Sequence, residues 1–355
     1  APAYNPSNNS LFLTGHDWYQ LVGEISIPAV VNSHDPKELN RAELLQSLSD
    51  ITEGRMNQVG ESGAEMGGCK LGGLIVVSDK ILGTSYVYYD ASGSAELSHF
   101  ISTTDLAQGA DINGFYSIGT KGAGFVAGYM CIIPLSWQSL FGGDALTGQG
   151  CLAIISRTSY GPSVTSFNLN DIGRKIPANG TMLVGYPSSH PTLGQWGNST
   201  TVNPNFNMAT SVNGVVFPDN FGSILFFGST GMGVPLYGIG TKDSTLHGTD
   251  VPDTDGKVKY AYDPANSSKG CHAFPYSYYV WAYRAADLAE VYSGKMRPWE
   301  IIPYATWELE LPFAAENGSR GIGGTAYDKE NNLLYISQLR ADNNSPIIHV
   351  FMVRK

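Results

Sequence analysis

Two stretches decide how this chain folds. Near one end it reads Ala3-Tyr4-Asn5-Pro6-Ser7-Asn8-Asn9-Ser10-Leu11-Phe12-Leu13-Thr14. Near the other it reads Ala326-Tyr327-Asp328-Lys329-Glu330-Asn331-Asn332-Leu333-Leu334-Tyr335-Ile336-Ser337. Each is a strand, a polar Asn-rich turn and a second strand, and the two share Ala-Tyr at the start and Asn-Asn in the turn. Internal similarity of this kind signals a repeated supersecondary unit. The second strand, with a small or polar residue at its end, recurs at Leu74–Ser78, Leu152–Ser156 and Ile224–Gly228. The anchors Thr14, Ser78, Ser156, Gly228 and Ser337 stand 64, 78, 72 and 109 residues apart. The last interval is long because about 242–268 reads as an insertion.

Short apolar strands precede the anchors at Gly68–Leu71, Tyr129–Ile133, Asn213–Phe217 and Gly324–Tyr327. Third strands follow at Gly23–Ile27, Tyr86–Tyr89 and Tyr279–Tyr283, and fourth strands are clearest at Thr181–Val184 and Thr306–Glu310. Short helical turns at Ser33–Leu39 and Ala286–Val291 fall between third and fourth strands.

Composition agrees. Among 355 residues there are 42 Gly, 20 Tyr and 19 Pro, with only 15% charged. Turns and strands replace the salt-bridged surface of a helical bundle. Thirty-one acidic residues against 21 basic give a net charge of −10, the wrong sign for gripping a phosphate backbone. No run approaches the ~18 apolar residues of a membrane helix, and none is laid out as a signal peptide. The chain starts at Ala1, which reads as a processed protein or a fragment. Asn-x-Ser/Thr sequons at Asn8, Asn179, Asn198, Asn266, Asn317 and Asn343 fit an exported protein. The expectation is secreted or extracellular, with periplasmic as the alternative. Cys69, Cys131, Cys151 and Cys271 form no metal-binding pattern. Cys131 and Cys151 lie in two apolar runs and are either a disulfide across neighbouring strands or two buried thiols.

Four antiparallel strands repeated round a ring hide their sheet edges by radial repetition. In this the sequence resembles the β-propeller superfamily over nearly its whole length. His272-Ala273-Phe274-Pro275-Tyr276 and Gly15-His16-Asp17-Trp18 look like the spelling of uncharacterised secreted bacterial propellers. The resemblance implies one all-β domain spanning 1–355, of five four-stranded blades, with six or seven as the alternative. The last blade has only three strands, so an open edge is expected beside Ile347–Val353, where another strand or a second copy could pair.

In a meander alternate connections share a face. The strand-two-to-three loops and the blade-to-blade loops therefore gather on one side, where binding groups are expected. That side collects the candidate ligand-binding residues His16, Asp17, Trp18, Arg157, Tyr160, His190, His272 and Arg340. An imidazole, a carboxylate and an indole at His16-Asp17-Trp18 suit a sugar. Arg157 and Arg340 follow equivalent strand ends and suit an anionic group, or else pair with nearby carboxylates. His272 reads as a base or as a packed core histidine. Asp250, Asp253 and Asp255, with Asp263 nearby, are candidates for calcium, although the spacing of a full calcium loop is missing. No other cofactor is expected.

Two functions follow. One is a non-catalytic protein that binds a glycan or protein on the loop-rich face, or assembles through the open edge. The other is a polysaccharide-active enzyme at the channel mouth. A lyase would use His16, Tyr160 or His272 as base with Arg157 on a uronate; a glycoside hydrolase would need paired carboxylates.

Overall fold

The computed structural model describes every residue except 17, 61–67, 108–111, 120–121, 151–156, 187–188, 191–193, 196–204 and 355, and excludes the side chains of 189–190 and 194–195. The chain is all-β, 43% strand and 10% helix. Sheet I is β1 (Pro2–Asn5), β2 (Ser10–Gly15), β3 (Leu21–Ser26) and β4 (Leu44–Ser49), paired in that order. Sheet II is β5 (Cys69–Val77), β6 (Lys80–Val87), β7 (His99–Thr103) and β8 (Asn113–Tyr116). Sheet III is β9 (Tyr129–Ile132), β10 (Ala145–Gly148), β11 (Val164–Phe167) and β12 (Gly180–Val184). A two-residue pair, β13 (Ser189–His190) and β14 (Gly194–Gln195), follows it. Sheet IV begins with β15 (Ser211–Val216) and β16 (Ser223–Gly231). The chain then makes a small sheet of β17 (Leu236–Thr241), β18 (Lys259–Tyr262) and β19 (Lys269–His272). It returns to complete sheet IV with β20 (Tyr276–Arg284) and β21 (Ala305–Glu308). Sheet V has three strands, β22 (Ile322–Asp328), β23 (Leu333–Asp342) and β24 (Ser345–Met352). Helix α1 (Leu135–Phe141) joins β9 to β10, and α2 (Ala285–Tyr292) lies between β20 and β21.

The first strands β1, β5, β9, β15 and β22 lie side by side in that order, and β22 packs against β1. Each neighbouring pair of sheets closes over its own apolar cluster. Phe12 and Val22 meet Phe100 between I and II, and Ile75 and Leu82 meet Met130 and Phe167 between II and III. Leu146 and Leu183 meet Phe226 and Trp281 between III and IV, and Phe227 and Val280 meet Leu334 and Ile336 between IV and V. Leu11 meets Ala326 and Tyr335 between V and I. Each fully buried side chain of this size contributes about 1.5–3 kcal/mol. The result is a propeller-like ring.

The repeat is visible in atoms. Tyr4 Oη donates to Asn9 Oδ1 at 3.1 Å, and Tyr327 Oη donates to Asn332 Oδ1 at 2.9 Å. Asn9 and Asn332 both take positive φ, 48° and 55°, a conformation that asparagine tolerates. Asn5 and Asp328 each accept the backbone N–H two residues on.

Three expectations need correction. Leu74–Val77 is the second half of β5, not a second strand, so Asp79–Gly83 is a tight turn and the start of β6, and Tyr86 belongs to the end of β6. Gly72-Gly73 lies inside β5, and a Cβ on Gly72 would lie 1.7 Å from the Ala127 carbonyl oxygen, so this glycine lets the segment leading into β9 approach the strand. The insertion is longer than 242–268, since Leu236–Thr241 and Lys269–His272 belong to its sheet. Cys131 is a free thiol that faces Leu146 across the ladder, which removes the cross-strand disulfide; Cys151 and the rest of its run lie outside the described residues. Strand β24 pairs with β23, and no described strand pairs with its other edge.

Candidate functional site at the centre of the ring

The first strands of all five sheets run toward the same end, where each turns into its second strand. There they enclose a cavity of about 720 Å³. Its walls are the C-terminal parts of these strands: Ile75 and Val76 from sheet II, Met130 and Ile132 from III, Val215 from IV and Ala326 from V. The turns that follow supply the rim. Ser78, Asp219, Lys329 and Glu330 stand there, and α1 adds Leu135 and Gln138. The floor of the site is therefore aliphatic and its opening polar.

Tyr4 and Tyr327 connect the two zones. Both line the cavity, and the bonds to Asn9 and Asn332 fix their hydroxyls. Burial and then the neighbouring Asp328 carboxylate push the Tyr4 phenol up to about 12, and burial raises that of Tyr327. Asp328 is itself fully buried, holding the N–H groups of Glu330 and Asn331. Asp144 Oδ1 accepts the Leu169 N–H at 2.8 Å. The carboxylates of Asp328 and Asp144 are thus built into turns. Tyr327 and Asp219 lie within electrostatic reach of each other.

None of the described residues proposed from the sequence as ligand-binding, catalytic or calcium-binding lines this cavity. His16 and Trp18 are exposed on the β2–β3 loop, where His16 Nδ1 accepts the N–H groups of Trp18 and Tyr19, and its ring lies 4.5 Å from that of Tyr19. Asp17 and the side chain of His190 lie outside the described residues. Arg157 is exposed beside Gly93. Tyr160 is buried in the cluster between sheets III and IV, its hydroxyl 3.5 Å from the Phe206 carbonyl. Arg340 sits at φ 54° in a bulge of β23.

His272 belongs to the small sheet and is buried. Its Nδ1 lies 2.7 Å from Asp263 Oδ2, and its Nε2 3.0 Å from the Ser268 carbonyl oxygen. Tyr276 Oη also donates to Asp263, at 2.6 Å. Burial alone would raise the Asp263 carboxyl, but the bonds from His272, Tyr276 and the Ala265 N–H hold it below the ordinary carboxylate range. This network ties the insertion to β20. Asp250 pairs with Lys259, and Asp253 and Asp255 occupy turns at positive φ. Among the described residues no three His, Cys, Asp or Glu side chains form a metal site, so the calcium candidates are not brought together.

The cavity escaped the sequence because its lining residues are ordinary aliphatics from five distant segments. The one available signal was the repeated Ala-Tyr, which places a tyrosine on the rim twice.

No protein-family model and no curated protein matches this chain. Among the solved structures similar to it are two of low identity. The holo form of the pyranose dehydrogenase PQQ domain from Coprinopsis cinerea has 9% identity and a TM-score of 0.36, covering 99% of this chain and 91% of that one. A glycosyl hydrolase from Bacteroides ovatus has 11% identity and a TM-score of 0.36, covering 98% of this chain and 82% of that one. At those values neither neighbour's chemistry transfers to this protein.

Proposed function

We propose that this chain is a non-catalytic binding protein whose ligand occupies the central cavity. The observation that carries the reading is the cavity itself: about 720 Å³, within the range of small-ligand sites, built from rigid strands of every sheet. Two of the three bases of the enzyme alternative, Tyr160 and His272, are buried in packing and hydrogen bonds, while the third, His16, stands exposed on the β2–β3 loop away from the cavity. Export remains part of the proposal. Asn8, Asn179, Asn266, Asn317 and Asn343 are all exposed, and no helix among the described residues is long and apolar enough to cross a membrane.

The test is a ligand screen by thermal shift, repeated with Ile132→Trp. Ile132 is 41% exposed at the cavity mouth, so an indole there fills the opening at little cost to the core. Ligands of the cavity raise the melting temperature of the native protein and not of the variant. A hit that shifts both equally binds elsewhere and removes the reading.

A second reading, assembly through β24, has its own support. From Ser345 to Val353 the edge strand carries no Asp, Glu, Lys or Arg, and it lacks the charges with which exposed edges usually resist pairing.

A further inference from the structure

Resting on the cavity reading, the geometry points to a ligand class: we infer that the central cavity takes an aliphatic cation, a hydrocarbon body ending in an ammonium or guanidinium group. Three observations converge. The walls are aliphatic, so the buried part of the ligand is apolar. The charged lining residues are Asp144, Asp219, Asp328 and Glu330 against Lys329 alone, so the field at the opening favours a positive group and opposes a carboxylate. Asp144 and Asp328 are held by backbone donors, whereas Asp219 is paired with no described cation, and its backbone hydrogen-bonds the Tyr327 hydroxyl at the rim. The tyrosine cannot swing aside, because Asn332 holds its hydroxyl.

Calorimetry with hexylammonium, hexanol and hexanoate tests this, since the three share a chain and differ in charge. Hexylammonium binds about tenfold tighter than hexanol, the scale of one charge-assisted contact, and hexanoate binds weakest. Asp219→Asn, nearly isosteric, brings hexylammonium to within about twofold of hexanol while leaving hexanol unchanged; Glu330→Gln, at an exposed position on the rim, gives a smaller loss. Acetyl-Leu-Lys-Leu-amide separates the sources. If it binds better than hexylammonium, the cation is a partner's lysine, and if worse, a free amine. Hexanoate binding as well as hexylammonium, with both lost in Ile132→Trp, overturns the charge assignment and leaves the cavity as a site. If none of the three binds, or Ile132→Trp changes nothing, the cavity reading itself falls and this inference with it.

Discussion

His99 offers the most quantitative test of the packing. It is fully buried on β7, with Nδ1 2.8 Å from Ser98 Oγ and Nε2 2.9 Å from Thr147 Oγ1 on the neighbouring sheet. Thr147 Oγ1 donates to the Val126 carbonyl, so it accepts from Nε2–H and the imidazole bridges sheets II and III as a neutral ring. Burial lowers its pKa from the ordinary 6.5 to about 3. The unfolded chain therefore takes up a proton near pH 6.5 that the folded protein refuses. Each pH unit below 6.5 costs about 1.4 kcal/mol of stability until the folded value is reached. Acidification from pH 7 to pH 4 thus withdraws about 3 kcal/mol through this side chain alone. His99→Gln removes the titration. At pH 7 the variant is less stable by about 1–3 kcal/mol, from its lost hydrogen bonds and its lost edge contact with Phe167. By pH 4 that difference shrinks to nothing or reverses. Urea unfolding followed by the fluorescence of buried Trp281, at half-unit pH steps, measures both curves. Glu24, Asp263 and other carboxylates act on both proteins equally and cancel in the difference. Parallel curves from pH 7 to pH 4 would falsify the neutral, buried bridge.

Other outcomes follow from the same geometry. Gly72→Val drives a side chain into the Ala127 carbonyl and costs about 4 kcal/mol or more, read as loss of the cooperative thermal transition; an unchanged melting temperature contradicts the close approach of β5 and the segment leading into β9. Asp263→Asn leaves His272 without its carboxylate in a buried site and costs about 2–4 kcal/mol, with cleavage appearing first within the insertion under limited proteolysis. Pairing through β24 shows as concentration-dependent association in sedimentation, which Ile347→Lys abolishes; a species that stays monomeric up to high concentration excludes assembly through that edge.

The turn chemistry made the ring legible. Asn9 and Asn332 announce the same left-handed corner in two places, and the strands around them follow from alternation. The sequence misled where one residue type has two uses. Gly72-Gly73 spells a break, and only the neighbouring strand shows that the glycines sit inside β5. Helix α1 has no side-chain N-cap, and its left-handed end at Gly142 reads equally as a strand-to-strand turn. The candidate site was less legible than the fold. His16 and Trp18 look functional because they are polar and aromatic in a loop, and the loop was read correctly. Ile75, Met130 and Val215 look like core, and nothing local tells which aliphatic residues face a cavity. That distinction is made by closure of the ring, a property of the whole chain.

Closure has one more consequence. Sheets I to IV are each followed by a covalent connection to the next, so four of the five junctions are crossed by the backbone as well as by packed side chains. The junction between V and I has neither a connecting segment nor a shared strand among the described residues. It relies on side-chain contacts around Leu11, Ala326 and Tyr335 and on the approach of β1 to β22. Among the described residues this junction is held by packing alone, so separating V from I meets less covalent resistance than separating any other neighbouring pair.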